Sequence, residues 1–357
     1  MLARVTIGDV AKAAGVSITT VSHALNGKGR LTDATRQRVQ EVAQELGYQP
    51  SALARGLAGG RTGMLAVTVS FVGNLALTVG DYDYFMQVMN AATAAAFERG
   101  SSLTLVPAQS RGEVLARLPL DGAVVMDPVP GDPIVDLLDE RGVPVVTTGR
   151  RPDGPEDACW VDNDHMTGTR AVMEHLAAQG ARRIAVMTAP PQQSYVIDAL
   201  SGFHQACGDL GLEPVVEVVS DSISEGGGYV AASRLLNSAQ PPDAIYATLD
   251  RLALGALLAA DAKGMRVPED LLVAGCTDSY AAQSSRPPLT ALSLNPEFIG
   301  TEAVDLLVTL IENGSVSEPH RLVPFSLIPR ASTERGAQAP QVSRAAGDRE
   351  RAAGQAH

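Results

Sequence analysis

The sequence has little cysteine and lacks the common metal-binding and catalytic motifs. It contains 357 residues and three cysteines, Cys159, Cys207 and Cys276, none of which belongs to a CxxC pair. Three isolated thiols fit neither a disulfide framework nor a zinc site. The six histidines show no HExxH spacing, and neither a GxSxG elbow nor a P-loop is present. We therefore expect no metal, no cofactor and no enzymatic activity.

Long apolar runs are also absent. The longest candidate, residues 244–260, is interrupted by Asp250 and Arg251, whereas a membrane helix needs about 18 or more apolar residues in a row. The first ten residues, MLARVTIGDV, lack the apolar core that a signal peptide carries. We therefore expect the protein to remain in the cytoplasm.

Charge is distributed unevenly along the chain. The formal net charge is −12, yet residues 1–61 hold eight Lys or Arg residues and four Asp or Glu residues, a net +4. The remainder of the chain therefore carries −16. A basic N-terminal segment on a larger acidic remainder predicts an anionic partner for that segment alone.

The basic segment begins with two short helices joined by a glycine turn. Apolar residues recur at helical spacing over residues 6–13 and 17–25, and Gly15 lies between them, where a tight turn favours positive φ. A third helix is predicted over about 32–46. Its buried stripe is predicted to contain Val39, Val42, Ala43 and Leu46. This order predicts a helix-turn-helix, although a three-helix subdomain without a DNA role has the same pattern.

The second helix has one apolar face and one short polar face. Thr6 and Ser17 precede the first two helices as N-caps. The predicted inward residues of the second helix are Val21, Ala24 and Leu25, and the outward ones are Ile18, Thr19, Ser22 and His23. An outward face of small polar residues without an acidic group suits a helix that enters the major groove.

After Met64 the sequence alternates between strands and helices. Apolar runs predict strands at 64–69, 103–106, 122–126, 143–147, 184–187, 244–247 and 271–275. Amphipathic stretches predict helices at 84–99, 166–179, 195–210, 228–236 and 252–263. Such alternation is typical of a doubly wound α/β architecture.

Residues 6–59, TIGDVAKAAGVSITTVSHALNGKGRLTDATRQRVQEVAQELGYQPSALARGLAG, resemble the N-terminal signature of the LacI/GalR family of bacterial repressors. Later stretches, among them WVDNDHMTGTRAVMEHLAAQGARRIAVM and ALGALLAADAKGMRVPEDLLVAGCTD, resemble the family's regulatory region. The resemblance implies an N-terminal all-α helix-turn-helix head followed by a two-lobed α/β region of the type I periplasmic-binding-protein kind. It also implies crossing strands near 161–163, 289–293 and 321–325, with an effector in the cleft.

The resemblance divides the chain into four parts. The head is residues 1–47, the linker is 48–61, the regulatory region is 62–335, and 336–357 form a tail predicted to be disordered. Two helical turns at most fit between Pro50 and Ala58, and so short a helix is marginal in water. The linker is therefore either a flexible connection or, as the resemblance implies, a hinge helix that orders on operator DNA.

The resemblance implies individual DNA contacts. Ile18, Thr19 and His23 match the positions that reach base edges, and the third is often Arg, which can grip guanine with two bonds. His23 can make one bond, so we expect a different or less stringent half-site preference. Leu57 matches the leucine that wedges into the minor groove. Ser17, Thr20, Ser22, Asn26 and Thr35 are expected at phosphates, and Thr6 and Arg55 complete the candidate DNA contacts.

The effector positions depart from the sugar-responsive pattern of the family. Ala199 stands where an Arg is usual, Leu249 replaces an Asn, Thr277 replaces an Asp, and Ile223 lies near the usual aromatic platform. Sugars are held by such polar groups over an aromatic face. We therefore expect an effector other than a simple sugar.

Other residues remain as candidates for effector binding. The full candidate set is Tyr82, Asp83, Tyr84, Phe85, Asn163, Gln193, Tyr195, Ile223, Asp250 and Thr277. Three of the chain's 14 aromatic residues lie within the four residues 82–85. That clustering indicates either a flat ligand, such as a nucleobase or an aromatic metabolite, or the ordinary core packing of a helix start.

The sequence thus predicts a transcriptional repressor that binds a palindromic operator as a homodimer under the control of a small-molecule effector. Two alternatives stay open. One is a DNA-binding regulator whose cleft is vestigial and whose output depends on a protein partner. The other is a stand-alone cytoplasmic protein that binds a small molecule.

Overall fold

The computed structural model of the chain describes residues 5–25, 29–48, 61–70, 79–106 and 113–335. The side chains of residues 79–82 and of Glu113 are not part of this description. The predictions for Asn26, Arg55, Leu57, the linker and the tail therefore lie outside the described residues, as does the side chain of Tyr82.

The head contains three helices, each of which begins at a polar cap. Helix α1 (Ile7–Ala14) is capped by Thr6, α2 (Ile18–Leu25) follows Ser17, and α3 (Asp33–Glu45) is capped by Thr32. Gly15 ends α1 with φ of 69°, which confirms the predicted turn. The left-handed backbone lets α2 leave at a sharp angle.

A small apolar core joins the three helices of the head. Its buried members are Val10, Ala11, Ala14, Val21, Ala24, Val39 and Ala43. Val42 and Leu25 pack against this core from partly buried positions. The prediction that Leu46 belongs to the buried stripe is wrong, because α3 ends before it and its side chain is 38% exposed.

The regulatory region contains twelve strands. They are β1 (Met64–Val69), β2 (Ser102–Leu105), β3 (Gly122–Met126), β4 (Val145–Thr148), β5 (Trp160–Asn163), β6 (Ile184–Thr188), β7 (Val215–Val218), β8 (Ala244–Ala247), β9 (Leu272–Cys276), β10 (Thr290–Ser293), β11 (His320–Val323) and β12 (Ser326–Ile328). These bounds and this count refer to the part of the chain that the structure describes.

Helices alternate with these strands. They are α4 (Val79–Glu98), α5 (Glu113–Arg117), α6 (Pro133–Glu140), α7 (His165–Ala178), α8 (Ser194–Leu210), α9 (Glu225–Leu236), α10 (Asp250–Ala262), α11 (Tyr280–Ser284) and α12 (Pro296–Asn313). The predicted α/β architecture is confirmed, with strand and helix ends shifted by a few residues.

Two compact units divide the described residues. The first unit takes its residues from Met1–Met166, Pro190–Ser201 and Leu294–Phe325, and the second from Thr167–Ala189, Gly202–Ser293 and Ser326–His357. The chain therefore passes between the units more often than the three predicted crossings require, because 190–201 belong to the first unit.

The first unit holds a six-stranded parallel sheet in the order β11-β5-β4-β3-β1-β2. Both of its faces are covered. Leu65 and Val67 of β1 pack with α4 and α12, whereas Ala66 between them packs with residues of α5 and α6. Strands buried on both faces appear as continuous apolar runs, which is why β1 and β3 were predicted with their observed bounds.

The second unit repeats this plan with the order β12-β10-β9-β8-β6-β7. All neighbours are parallel except β10 and β12. Helices α9 and α10 cross closely, because a Cβ on Gly255 would lie 2.4 Å from the backbone nitrogen of Tyr229 and one on Gly228 would lie 2.6 Å from the carbonyl oxygen of Leu252. The helix predicted at 228–236 thus begins at Glu225 and is packed against α10 through its glycines.

Candidate nucleic-acid interface and effector positions

Helix α2 begins with a hydroxyl cap. The backbone N–H of Thr20 donates to Oγ of Ser17 over 3.0 Å, and the two side-chain oxygens are 2.8 Å apart. This cap satisfies an N–H group that the helix itself leaves unpaired. The predicted cap is confirmed, and it fixes the end of α2 that carries the predicted base-reading residues Ile18 and Thr19.

The two faces of α2 differ sharply in exposure. Val21 and Ala24 are buried, whereas Ile18 is 55% exposed and Thr19 is also exposed. Ser22 and His23 lie between these extremes. No Asp or Glu occurs in α2, so the outward face carries no charge that would repel a phosphate backbone. The structure therefore presents the predicted base-reading residues on one solvent-facing surface.

Four of the candidate DNA contacts, Thr6, Ser17, Thr20 and Thr35, lie at the starts of helices. Thr35 donates its backbone N–H to Oγ1 of Thr32 over 3.3 Å at the start of α3. Thr6 and Asp9 form a reciprocal capping box at the start of α1. The hydrogen bonds from the Thr6 side chain and backbone lower the pKa of Asp9. Side chains thus already occupy N–H groups at both of these helix starts.

The chain that leaves the linker is held firmly where the description resumes. Arg61 donates through Nη2 to the carbonyl oxygen of Ile311 over 2.8 Å, at the end of α12. Asp121 accepts the backbone N–H groups of Thr62 and Gly63 over 2.8 and 2.7 Å. These contacts anchor the first residues after the linker to the first unit.

The predicted effector residues fall in both units. Seven of them, Tyr82, Asp83, Tyr84, Phe85, Asn163, Gln193 and Tyr195, belong to the first unit, and Ile223, Asp250 and Thr277 belong to the second.

In the first unit, Asp162 organises a polar cluster at the carboxyl end of β5. Its side chain accepts the backbone N–H of Asn163 over 2.8 Å and lies 3.1 Å from Nε2 of His165 and 3.3 Å from Oγ of Ser194. The ring of Tyr195 lies 5.9 Å from that of His165. Of the predicted residues, Asn163 and Tyr195 are thus brought near one centre.

The side-chain amide nitrogen of Asn163 is hydrogen-bonded to the backbone. Its Nδ2 donates to the carbonyl oxygens of Leu294 and Val323 over 3.1 and 2.9 Å. Its Oδ1 is buried and accepts no hydrogen bond from the residues that the structure describes. Gln193 accepts two N–H bonds at its carbonyl as α8 begins, from Val196 and Ile197.

Asp127 is a member of this cluster that sequence reasoning missed. It follows β3 with φ of 50°. A Cβ on Gly149 would lie 3.5 Å both from its Oδ1 and from Oγ of Ser194. Burial, followed by the charge of Asp162, raises the pKa of Asp127 to about 7, while the charge of His165 opposes the rise. No motif marks such a residue, since its neighbours are distant in sequence.

His165 was also missed as part of the cluster. Burial disfavours its charged form, but the hydrogen bond and charge of Asp162 and the charge of Asp127 outweigh burial and raise its pKa. The imidazole thus contacts the carboxylate of Asp162 and interacts with the charge of Asp127. We call Asp127, Asp162, His165 and Ser194 the Asp162 cluster.

The aromatic residues near 84 pack into the first unit. Tyr84 and Phe85 are partly buried against its core, with their ring centroids 5.8 Å apart. Asp83 accepts a hydrogen bond from Gln87 over 3.2 Å along the same helix. These contacts favour the core-packing interpretation of Tyr84 and Phe85 over the flat-ligand one.

In the second unit, Asp250 and Thr277 meet directly. Oγ1 of Thr277 donates to Oδ2 of Asp250 over 3.0 Å, and the backbone N–H of Ser279 donates to the same oxygen over 2.7 Å. Burial raises the pKa of Asp250 to about 6, although the bonds from Ser279 and Thr277 oppose it. We call Asp250, Thr277 and Ser279 the Asp250 cluster.

The Asp250 cluster closes a backbone turn. Thr277 and Asp278 have φ of 100° and 58°, values that side-chain-bearing residues rarely adopt. The other predicted residue of this unit, Ile223, is partly buried against the apolar core. Its contacts therefore differ from those of an aromatic platform facing a ligand.

Two family models match the chain. The model described as bacterial regulatory proteins, lacI family, matches residues 6–51, and that of a periplasmic binding protein-like domain matches residues 173–333. The HTH-type transcriptional regulator CelR of Thermobifida fusca is 35% identical over 328 residues, covering 90% of this chain and 95% of CelR. The HTH-type transcriptional repressor PurR of Mannheimia succiniciproducens is 32% identical, covering 85% of this chain and 90% of PurR.

Solved structures give the same assignment. The transcriptional regulator CelR–cellobiose complex has a TM-score of 0.69 at 30% identity and covers 92% of this chain and 100% of its own. The Lac repressor dimer bound to operator and the anti-inducer ONPF has a TM-score of 0.76 at 27% identity and covers 93% of this chain and 99% of its own.

The chain belongs to the LacI family of bacterial regulatory proteins. It is a DNA-binding transcriptional repressor with an effector-binding region, and not an enzyme, in line with the transcriptional regulators to which it is similar. The helices that the structure describes include none that is long and apolar enough to cross a membrane.

Proposed function

We propose that this repressor reads a palindromic operator as a homodimer, with one α2 helix of each head in the major groove. The observation that carries the proposal is the exposed, acid-free face of α2, where Ile18 and Thr19 stand clear of the head's core. His23 supplies the third base contact. A closed two-fold dimer presents two such helices to two half-sites, which is why the operator should be a palindrome.

Selection of bound duplexes from a random DNA pool tests this proposal. Purified full-length protein without added ligand should enrich a palindrome whose half-sites are about one helical turn or more apart. The test variant replaces the outward residues Ile18 and Thr19 by Ala, which leaves Val21 and Ala24 in the core. If this variant enriches no sequence and has an unchanged melting temperature, base reading by these residues is supported. If it enriches the same sequence as the wild type, base reading by these residues is overturned.

Salt dependence gives an independent check on the basic head. Log affinity should fall with log salt concentration at a slope of about −0.9 for each phosphate neutralised. A flat response would contradict the assignment of phosphate contacts. Leu57→Ala should weaken operator binding much more than non-specific binding, because an apolar wedge acts only where the duplex is kinked.

We further propose that the effector is not a simple sugar. Support comes from the residues at the usual sugar positions. Ala199 is 3% exposed, and Leu249 and Ile223 pack against the core of the second unit. Thr277 is already bonded to Asp250. These side chains offer little of the bidentate bonding and aromatic stacking that hold sugars.

A melting screen tests the choice of effector. Cellobiose is the first probe, because the CelR complex contains it, and nucleosides and aromatic acids follow. A ligand at 100 times its dissociation constant stabilises a protein by about 2.7 kcal/mol. Stabilisation by micromolar cellobiose would contradict the proposal. A response to no compound class would favour the second candidate function, a repressor whose output depends on a protein partner.

A further inference from the structure

We infer that Gly29 is a positioning residue that holds the ring of His23 and so sets the base preference of the head. The inference rests on the proposed function, since His23 reads a base there. Gly29 lies beyond the end of α2, six residues after His23.

The backbone of Gly29 lies directly against the His23 ring. A Cβ built on Gly29 would be 2.5 Å from Nδ1, 3.0 Å from Cγ and 3.3 Å from Cβ of His23. Real Cβ atoms essentially never approach a heavy atom to less than 3.0 Å. Any residue other than glycine at this position therefore displaces the imidazole from its present orientation.

The contact also orients the ring. Nδ1 is the ring atom nearest to that Cβ position, and Nε2 is farther from it than any of the three atoms named above. In this inference Nε2, the nitrogen farther from Gly29, is the one that meets a base. A neutral imidazole makes one directed bond as donor or acceptor at each nitrogen, so a rotated ring would present that bond elsewhere.

The position of Gly29 is itself fixed. Its φ is 74°, in the left-handed region that favours glycine. Its carbonyl oxygen accepts the backbone N–H of Leu31 over 3.2 Å, and Leu31 packs against the core of the head. The glycine is thus tied to the head's core on one side and to the His23 ring on the other.

Gly29→Ala tests the inference, and Gly47→Ala is its matched control. Gly47 lies in the same head with φ of 65°, and a Cβ there would meet nothing within 4 Å. Both variants place an alanine in the left-handed region and so introduce similar backbone strain, but only Gly29→Ala displaces the ring of His23. His23→Ala and the double variant His23→Ala/Gly29→Ala complete the set, because removing the imidazole removes the clash.

Binding of each full-length variant is measured against the selected operator, its single-base substitutions and a non-specific duplex. We expect Gly29→Ala to lose about tenfold discrimination at one base pair of each half-site. Non-specific affinity should change by less than about twofold, because phosphate contacts supply it. Gly47→Ala should keep the wild-type preference, and the double variant should match His23→Ala.

Melting temperatures supply a readout that needs no DNA. Gly29→Ala should lower the melting temperature more when His23 is present than when Ala replaces it. Equal costs in the two backgrounds would overturn the inference, as would a wild-type base preference in Gly29→Ala. If the wild-type protein enriches no sequence, the proposed function is overturned together with the inference. If the wild type enriches an operator but Gly29→Ala keeps its base preference, the inference alone is overturned.

Discussion

An aspartate follows the third strand of each unit, and both aspartates resist ionisation. Asp127 comes directly after β3, and Asp250 begins α10 shortly after β8. Burial raises the pKa of Asp127 to about 7 and that of Asp250 to about 6. Because the two sheets have the same strand order, the two carboxyl groups lie at corresponding sheet edges.

Their partners differ. Asp127 faces ionisable groups, the carboxylate of Asp162 and the imidazole of His165. Asp250 is bonded to a hydroxyl and to a backbone N–H, both neutral. Both aspartates are desolvated, but Asp127 interacts with other charges, whereas Asp250 accepts hydrogen bonds that hold a turn. Charge state should matter most in the first unit, and hydrogen bonding in the second.

The largest effect is expected from Asp250→Ala. The change leaves the Ser279 N–H unpaired in a buried site and frees a turn with two left-handed residues. We expect a loss of about 2–4 kcal/mol in the free energy of unfolding, measured by denaturant titration. Asp250→Asn is the control, because its amide oxygen can still accept the Ser279 bond, and its loss should be under about 1 kcal/mol. Equal losses would show that charge, not bonding, matters here.

Asp127→Asn should increase the free energy of unfolding, whereas Asp250→Ala should decrease it. In the folded protein the pKa of Asp127 is raised, so the folded state binds more protons than the unfolded state between about pH 4 and 7. The ionised side chain therefore costs stability above pH 7, and Asn removes the cost while tolerating the positive φ. We expect a gain of about 1–3 kcal/mol at pH 8 that vanishes towards pH 4.

The control for Asp127→Asn is Glu140→Gln, which removes one negative charge at an exposed position of α6. It should change stability by less than about 0.5 kcal/mol at any pH. A gain as large as that of Asp127→Asn would show that the net charge of the chain, rather than the Asp162 cluster, causes the effect.

The apolar runs predicted strands β3 and β8 better than edge strand β7. Strands β3 and β8 are buried on both faces and stand out as apolar runs. Edge strand β7, with sequence VVEV, alternates between partly buried and exposed residues and was not predicted. Short edge strands bury one face only, so their pattern blends with the surrounding loops.

The two clusters were predictable to different degrees. Asp250 and Thr277 were both candidates from the family resemblance, although their bond to each other was not foreseen. Asp127 was missed because its pKa depends on Asp162 and His165, which are brought close by the sheet and not by sequence spacing. Desolvation is a property of the folded neighbourhood, which a linear motif does not contain.

His165→Gln tests the coupled charges with a smaller effect. The pKa of His165 is raised in the folded protein, so its contribution to stability is present below about pH 6.5 and is lost as the pH rises through the folded value. We expect His165→Gln to lower the free energy of unfolding by about 1 kcal/mol at pH 5.5 and by less at pH 8.5. The control is His204→Gln at an exposed position of α8, which should change the free energy of unfolding by less than about 0.5 kcal/mol in the same thermal denaturation.

Thr277→Val should have the smallest effect and bears on the neutral partners of Asp250. The variant keeps the branched shape and the strained φ of 100° but removes the hydroxyl that donates to Oδ2. We expect a loss of about 0.5–1.5 kcal/mol, since the stronger bond from the Ser279 backbone remains. Thr277→Ser retains the hydroxyl and should lose less free energy of unfolding.

The hydroxyl of Thr277 also lowers the pKa of Asp250. That pKa should therefore rise further in Thr277→Val, which carboxyl NMR titration measures. An unchanged pKa would show that the bond does not persist in solution and that the backbone alone holds Asp250.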